Sequence, residues 1–323
     1  MDYKPKILDA LEKLRQKEIA NHEPFKVRAY NTVIKNLKAT DNPITNLDDI
    51  KDIKGIGKKI HEKIKEILET GELKQLEHFD DKINIINDLT NIHGIGPVKA
   101  KELVEKHDIK SIQELKEHPD LLNDKQLIGL KYHEDFLKRI PRQEMSKHEM
   151  FILEHIKKVN PKINVQVVGS YRRGAKDSGD IDIIITHEDN PENYDDIIKN
   201  IVTELKNAKY LHDDFAVGTH KYLGVCKLKY HKIYRRIDIL YATKNVWPFS
   251  ILYFTGSAEF NIALRNLALT KNYSLNEYGF TSLSNKKLNQ EFESEEDIFK
   301  FLGLRYIEPI ERIPKINLDD FKL

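Results

Sequence analysis

The sequence predicts a multidomain protein, all-helical in its N-terminal half and α+β in its C-terminal half. Three observations predict this. Early in the chain, apolar residues recur at helical spacing: Ile7, Leu8, Leu11 and Leu14, then Val33, Ile34 and Leu37. From about Glu149 the texture changes, and the β-branched runs Ile163–Val168, Ile181–Thr186 and Ile237–Leu240 read as strands, with Tyr222–Leu228 as another. Between these regions the tripeptide Gly-Ile-Gly occurs twice, at 55–57 and 94–96, each time leading into a lysine-bearing helical pattern. The breaks fall where turn chemistry puts them: Asp41-Asn42-Pro43 ends the second helical run, Gly71 caps the helix that follows, and Pro161 ends a helix over Phe151–Val159. Helical periodicity returns over Ala258–Leu269.

Bulk properties exclude several classes. With 53 Lys+Arg against 52 Asp+Glu and a pI near 7.8, the chain lacks the strongly basic footprint of a dedicated nucleic-acid binder, so any such surface is local. A 40% hydrophobic and 33% charged composition reads as a soluble globular protein. The single Cys226 excludes an internal disulfide framework and fits a reducing compartment. Residues Met1 to Lys6 carry no apolar signal core, and no run approaches the ~20 apolar residues a membrane span needs. The expectation is a soluble, intracellular chain without a membrane partner. The 13 histidines show no zinc-type spacing with Cys226. Cys226 and Trp247 read as packing residues.

The sharpest feature is Ser178-Gly179-Asp180-Ile181-Asp182-Ile183-Ile184-Ile185. In a strand, residues two apart share a face, so Asp180 and Asp182 point together while Ile181 and Ile183 enter a core. Two like charges that close are costly without a cation between them. Arg235-Arg236-Ile237-Asp238-Ile239 offers a third carboxylate with the same alternation. Three carboxylates on adjacent strands form a hard-oxygen site suited to Mg²⁺, and two such ions ~4 Å apart can activate a 3′-hydroxyl and neutralise a leaving pyrophosphate. An isolated Asp-x-Asp reads equally well as a solvated strand edge.

The segment Gly169-Ser170-Tyr171-Arg172-Arg173-Gly174 follows a strand and is expected to open a helix. Glycine lets the backbone approach a phosphate, and a helix N-terminus offers unpaired N–H groups. Ser170 and the Arg173 guanidinium can add contacts to a triphosphate. A Gly-Ser loop about ten residues ahead of Asp-x-Asp resembles the signature of the nucleotidyltransferase superfamily. By itself the loop is a basic turn.

At these residues the chain resembles the family X DNA polymerases, and within them the beta-type enzymes most. The resemblance runs along nearly the whole chain, through Leu130-Lys131-Tyr132, Lys138-Arg139-Ile140-Pro141-Arg142, Gly169 to Gly174, Ser178 to Asp182, Arg235 to Asp238, Tyr253-Phe254-Thr255-Gly256-Ser257 and Asn276-Glu277-Tyr278. It implies four parts: a helical lyase-like DNA-binding domain over 1–78, a second helical DNA-binding subdomain over 79–142, a catalytic palm of the nucleotidyltransferase fold over 143–244, and a small α+β nucleotide-selection subdomain over 245–323. It also implies that Asp180 and Asp182 bind two Mg²⁺ ions, with Mn²⁺ as a substitute, and that Asp238 binds the catalytic one. Arg139, Ser170, Arg173 and Gly179 would hold the triphosphate. Tyr253, Phe254 and Gly256 would lie against the sugar, and Asn261 and Arg265 at the minor-groove edge. Without their flanking residues, Tyr253 and Phe254 read as aromatic core. In two places the chain departs from the beta-type pattern: Ala258 replaces an acidic residue beside the nucleotide, and Leu240 an arginine two residues past the third aspartate.

The two Gly-Ile-Gly segments look like helix-hairpin-helix modules, which grip phosphates without reading bases. The resemblance places a Na⁺ or K⁺ ion on backbone carbonyls of Lys51, Ile53 and Ile56, and another on Thr90, Ile92 and Ile95. Lys63 falls at the family's Schiff-base lysine, which releases 5′-deoxyribose phosphate by β-elimination. A neighbouring cation such as Lys59 is expected to keep it partly neutral; from spacing alone it is one more solvated lysine. Glu23 and Val27 appear in place of a lysine and a tyrosine of the beta-type pocket, with His22 kept. Pro24 to Tyr30 is more like bacterial and other members of the family. The implied partners are gapped or nicked DNA, dNTPs and repair proteins such as a ligase, for a monomer that is nuclear if the source is eukaryotic. No histidine-rich exonuclease extension is expected. Two other readings share the aspartates or the DNA grip: a template-independent terminal transferase, which would need a long inserted loop ahead of Arg235, and a non-catalytic gap-binding scaffold.

Overall fold

The structure, a computed structural model, describes residues 2–20, 23–40, 42–76, 79–189, 195–284, 288, 290–314 and 316–323. The chain divides into two compact units, Met1–Gln126 and Leu127–Leu323. His22 and Asp41 lie outside the described residues.

In the first unit, α1 (Lys4–Ala20) packs on α2 (Pro24–Ala39) and α3 (Lys58–Thr70). Their stripes meet through Ile7, Leu11, Leu14, Val33, Leu37 and Ile64, all at 0% exposure. Each such burial contributes roughly 1.5–3 kcal/mol, which holds three short helices that would be marginal alone. The same unit continues with α4 (Phe79–Thr90), α5 (Pro97–Lys106), α6 (Ile112–Glu117) and the start of α7 (Asp124–Lys131). The Gly-Ile-Gly segments form matching hairpins. Gly55 (φ +96°) and Gly94 (φ +88°) make the left-handed turns. Gly57 and Gly96 are the N-caps of α3 and α5 with nearly the same backbone angles, φ −84° with ψ 169° and 173°. Gly71 caps α3 in the left-handed conformation, as read from the sequence.

The second unit holds the sheet. After α8 (His133–Phe136), β1 (Ile140–Pro141) leads into α9 (Arg142–Val159). This helix starts nine residues earlier than its apolar pattern suggested, because Pro141 fixes the entry and Met145, His148, Ile152 and Ile156 form one buried stripe. Next come β2 (Ile163–Val167), α10 (Gly169–Arg172), β3 (Asp177–Ser178), β4 (Ile181–His187), α11 (Asp195–Asn207), β5 (Leu211–Val217), β6 (Lys221–Cys226) and β7 (Arg235–Tyr241). The five-stranded sheet runs in the order β2-β4-β7-β6-β5, with β4 and β7 parallel and the other pairs antiparallel. Ile181, Ile183, Ile237 and Ile239 are wholly buried on its core side. β5 escaped the sequence reading because register shifts break its alternation on both sides of Asp214.

The unit ends with α12 (Trp247–Thr255), α13 (Ala258–Thr270), the hairpin β8 (Tyr273–Asn276) and β9 (Gly279–Ser282), and α14 (Glu295–Phe301). The hairpin turn is closed by Asn276 Oδ1, which accepts from the backbone N–H groups of Tyr278 and Gly279 at 2.9 and 3.1 Å. Among the described residues no helix is long and apolar enough to cross a membrane.

Candidate active site

Parallel pairing of β4 and β7 sets Asp182 directly beside Asp238. Both strands begin at this end of the sheet, so Asp180, one residue ahead of β4, joins them there. Burial pushes the Asp182 carboxyl up to about 7, with the charges of Asp180 and Asp238 adding to the effect. Burial likewise raises Asp238 to about 6, against the opposing charge of Arg236. Asp180 is the exposed end of the trio and accepts a hydrogen bond from Arg236 Nη2. Sequence reading missed Arg236 as a partner, although its place two residues before Asp238 put it on the same face. With Arg236 on Asp180, no three Asp, Glu, His or Cys side chains among the described residues are gathered tightly enough to hold an ion unaided. The donor set nonetheless fits a hard divalent cation. It offers only carboxylate oxygens, and Asp182 and Asp238 are pushed toward protonation for want of compensating charge.

Gly169 closes one side. Its φ is +63°, and a Cβ there would lie 2.7 Å from Asp182 Oδ2. Gly169→Ala is therefore expected to displace the Asp182 carboxylate, lowering activity about 100-fold while costing ~1–2 kcal/mol of stability. Parallel rate and urea-unfolding measurements check the split.

A cleft of about 640 Å³ opens beside these residues. It is lined by Arg139, Gly169, Ser170, Arg173, Gly179, Asp180, Asp182, Tyr253, Phe254, Gly256, Asn261 and Arg265, together with Ser257, Ala258 and Ile262. Asp238 stands behind Asp182 on the neighbouring strand and is not part of the lining. The helix expected after Gly169 is a single turn, α10, so its backbone N–H groups rather than a helix dipole face the cleft. Ser170 Oγ donates to Ser178 Oγ at 3.0 Å, which fixes its rotamer. Arg139 Nε donates to Asp177 Oδ1 at 2.8 Å and is otherwise exposed. Arg173 Nη1 donates to the carbonyl of Thr255, tying the Gly-Ser loop to the end of α12.

Tyr253 and Phe254 meet edge to face at 5.0 Å. Asn261 Nδ2 donates to the Tyr253 carbonyl at 2.7 Å, and the Arg265 guanidinium lies 5.1 Å from the Tyr253 ring centre. These aromatics are half-buried cleft residues and not interior core. Gly256, at φ +66°, turns the chain between α12 and α13. Ala258 is exposed at the start of α13, and Leu240 is half-buried on β7.

Lys63 sits apart, on α3 in the first unit. Its Nζ donates to Gln75 Oε1. Its pKa lies below the ordinary lysine value, mainly through burial, with Lys17 and Lys59 adding and Glu66 and Glu18 opposing. Lys59 alone is thus the wrong cause; desolvation outweighs it. Glu23 is the N-cap of α2 and pairs with Lys26 at 3.6 Å.

The proposed cation carbonyls lie on the two hairpins. Lys51 caps the 3₁₀ turn Leu47–Ile50, and Thr90 ends α4. The Ile92 carbonyl already accepts from Ile95 N at 3.0 Å, while Ile53 N donates to the Ile50 carbonyl. Ile56 packs against the core of α1–α3, and Ile95 is buried at 3% exposure.

A Gly-Ser loop facing paired aspartates at the start of parallel strands defines a nucleotidyltransferase-type palm. Domain-family models agree along the chain: a helix-hairpin-helix domain over 2–73, the fingers domain of DNA polymerase lambda over 87–137, the DNA polymerase beta palm over 139–244 and the DNA polymerase beta thumb over 250–313. DNA polymerase lambda of Rattus norvegicus is 32% identical over 96% of this chain and 56% of its own length. DNA polymerase lambda of Arabidopsis thaliana is 32% identical over 83% of the chain and 54% of itself. The DNA polymerase type-X family protein pol4 of Schizosaccharomyces pombe is 28% identical over 94% of the chain and 63% of itself. The chain belongs to the family X DNA polymerases. It spans little more than half the length of the first two of these relatives.

Proposed function

We propose that the chain is a template-directed DNA polymerase that fills short gaps during repair, with a 5′-deoxyribose phosphate lyase function at Lys63. The observation that carries the polymerase reading is the convergence of Ser170, Arg173, Asp180, Asp182, Tyr253 and Asn261 on one cleft. Backbone N–H groups of Gly169–Arg172, the Ser170 hydroxyl and the guanidinia of Arg173 and Arg139 bind the triphosphate. Tyr253 and Phe254 lie against the sugar, and Asn261 and Arg265 position its base. Asp238, raised toward neutrality, accepts the primer 3′-hydroxyl proton. Asp180, Asp182 and Asp238 would hold Mg²⁺, which supplies charge neutralisation for the leaving pyrophosphate and activation of the hydroxyl. The four-part division at 78, 142 and 244, monomeric action, a nuclear site and a ligase partner belong to the same reading.

The test is a DNA duplex with a one-nucleotide gap and a 5′-phosphate, incubated with Mg²⁺ and four dNTPs. Templated filling that disappears in Asp238→Ala is expected. Untemplated tailing of a single strand would make the protein a terminal transferase, and tight binding without extension a scaffold.

The hairpins carry the DNA grip, with Na⁺ or K⁺ at their carbonyls. A Cβ on Gly57 or Gly96 would meet no atom within 4 Å, and neither residue has a positive φ. Nothing inside the chain demands glycine at these two positions, which fits close approach of a phosphate backbone. Gly57→Ala and Gly96→Ala are each expected to weaken gapped-DNA binding about tenfold while changing stability by no more than ~0.5 kcal/mol. Fluorescence anisotropy beside thermal melts checks this.

A further inference from the structure

The last turn of α1 carries Glu18, which is 8% exposed and is the one carboxylate that the described residues of the first unit bury. Lys26 Nζ on α2 donates to Glu18 Oε2 at 3.2 Å. One turn further along α2, Tyr30 is also 8% exposed, and its hydroxyl is kept neutral by burial and by the Glu18 charge. From α3, Lys63 feels the charges of both Glu18 and Lys17. Groups from three helices therefore converge around Lys63, and the buried acid among them has no part in the chemistry described so far. Lys26 does not need it as a counter-ion, since Glu23 stands 3.6 Å from the same Nζ at the surface. A buried ion pair is in general a weak stabiliser compared with apolar packing.

The lyase reaction needs such a group. Lys63 Nζ attacks the C1′ aldehyde of the sugar and water leaves, giving a protonated Schiff base. That cation acidifies the C2′ hydrogen, and a base must remove it. We propose that Glu18 is this base. Its carboxylate takes the C2′ proton, the C–H electron pair forms the C2′–C3′ double bond, and the C3′–O bond breaks with its electrons leaving on the downstream 5′-phosphate. Hydrolysis of the Schiff base then returns Lys63. Lys26 holds the carboxylate in place through Oε2. This proposal rests on the lyase reading of Lys63.

The experiment uses the full chain and incised abasic DNA, and follows two readouts. Borohydride trapping measures Schiff-base formation, and single-turnover sugar release measures elimination. Glu18→Gln is expected to slow release about 100-fold while trapping stays within about twofold of the wild type. Formate added to Glu18→Ala is expected to restore part of the release. Unchanged release in Glu18→Gln overturns the proposal alone. So does a parallel loss of trapping and release in a variant that melts like the wild type, which would mark Glu18 as a positioning residue. If Glu18→Gln fails to fold, Glu18→Asp reads the same split: release slowed more than trapping upholds the proposal, and equal slowing overturns it. Absence of any trapped adduct in the wild type overturns the lyase reading and this proposal with it.

Discussion

Replacing Asp182 by asparagine is expected to stop nucleotide addition and, in the ion-free protein above pH 7, to raise the melting temperature. Both effects come from one buried charge. Asp182 ionises at about 7 in the folded protein against an ordinary 3.8, because burial and the neighbours Asp180 and Asp238 oppose its charge. Between those values the folded state keeps a proton that the unfolded chain releases. Stability of the ion-free wild type therefore falls as pH rises from about 4 to about 7 and stays low above that. Asparagine keeps the shape and removes the charge, so this pH slope should flatten. Added Mg²⁺ should restore stability to the wild type at pH 8 by mass action and do much less for the variant. Activity should fall at least ~10³-fold, as for loss of a group central to charge stabilisation. Melting curves at pH 5 and 8, with and without EDTA, decide the matter. A wild type equally stable at both pH values without divalent ions would contradict it.

The second large effect is expected at Glu295, which holds two arginines inside the second unit. Arg172 Nη1 and Nη2 donate to its two oxygens at 3.1 and 2.6 Å, and Arg312 Nη1 donates to Oε1 at 2.6 Å. Arg312 is at 0% exposure among Phe260, Phe299 and Tyr306. Burial alone would raise the Glu295 carboxyl, but Arg172 and Arg312 outweigh it and hold it below the ordinary carboxylate range. Its contribution is thus present above that range and is lost only as pH falls through the lowered value. Glu295→Gln removes the charge and leaves two guanidinia uncompensated, at a cost of about 3–5 kcal/mol. In urea the midpoint should fall by roughly 1–2 M. Gap filling should also suffer, because Arg172 Nη1 donates to Thr255 Oγ1 at 2.8 Å and so ties the Gly-Ser loop to the end of α12. A shift worth less than ~1 kcal/mol would show that water reaches the pair.

How much of this was legible in the sequence depended on distance along the chain. Gly169, Ser170, Arg173, Asp180 and Asp182 span fourteen positions, and local rules place them: a glycine turn, then alternation along one strand. The hairpin glycines were equally legible, because φ > 0 at Gly55 and Gly94 is a local demand. Glu295 lies 123 residues from Arg172, and nothing near either one marks the pair. Glu18 looked like any polar residue at the end of an amphipathic helix until α2 and α3 closed over it. β5 was hidden by its bulges, and the β8–β9 hairpin by strands of only four residues each.

What the sequence determined by itself was the set of reactive groups and the elements that carry them, because periodicity and turn chemistry act over a few residues. Tertiary structure alone decided that Asp182 and Asp238 stand side by side, through the parallel register of β4 and β7. It also decided which charges are buried, and hence that Asp182 and Asp238 resist ionisation and that Lys63 is desolvated. Desolvation depends on everything packed around a group, and that packing comes from segments distant in the chain.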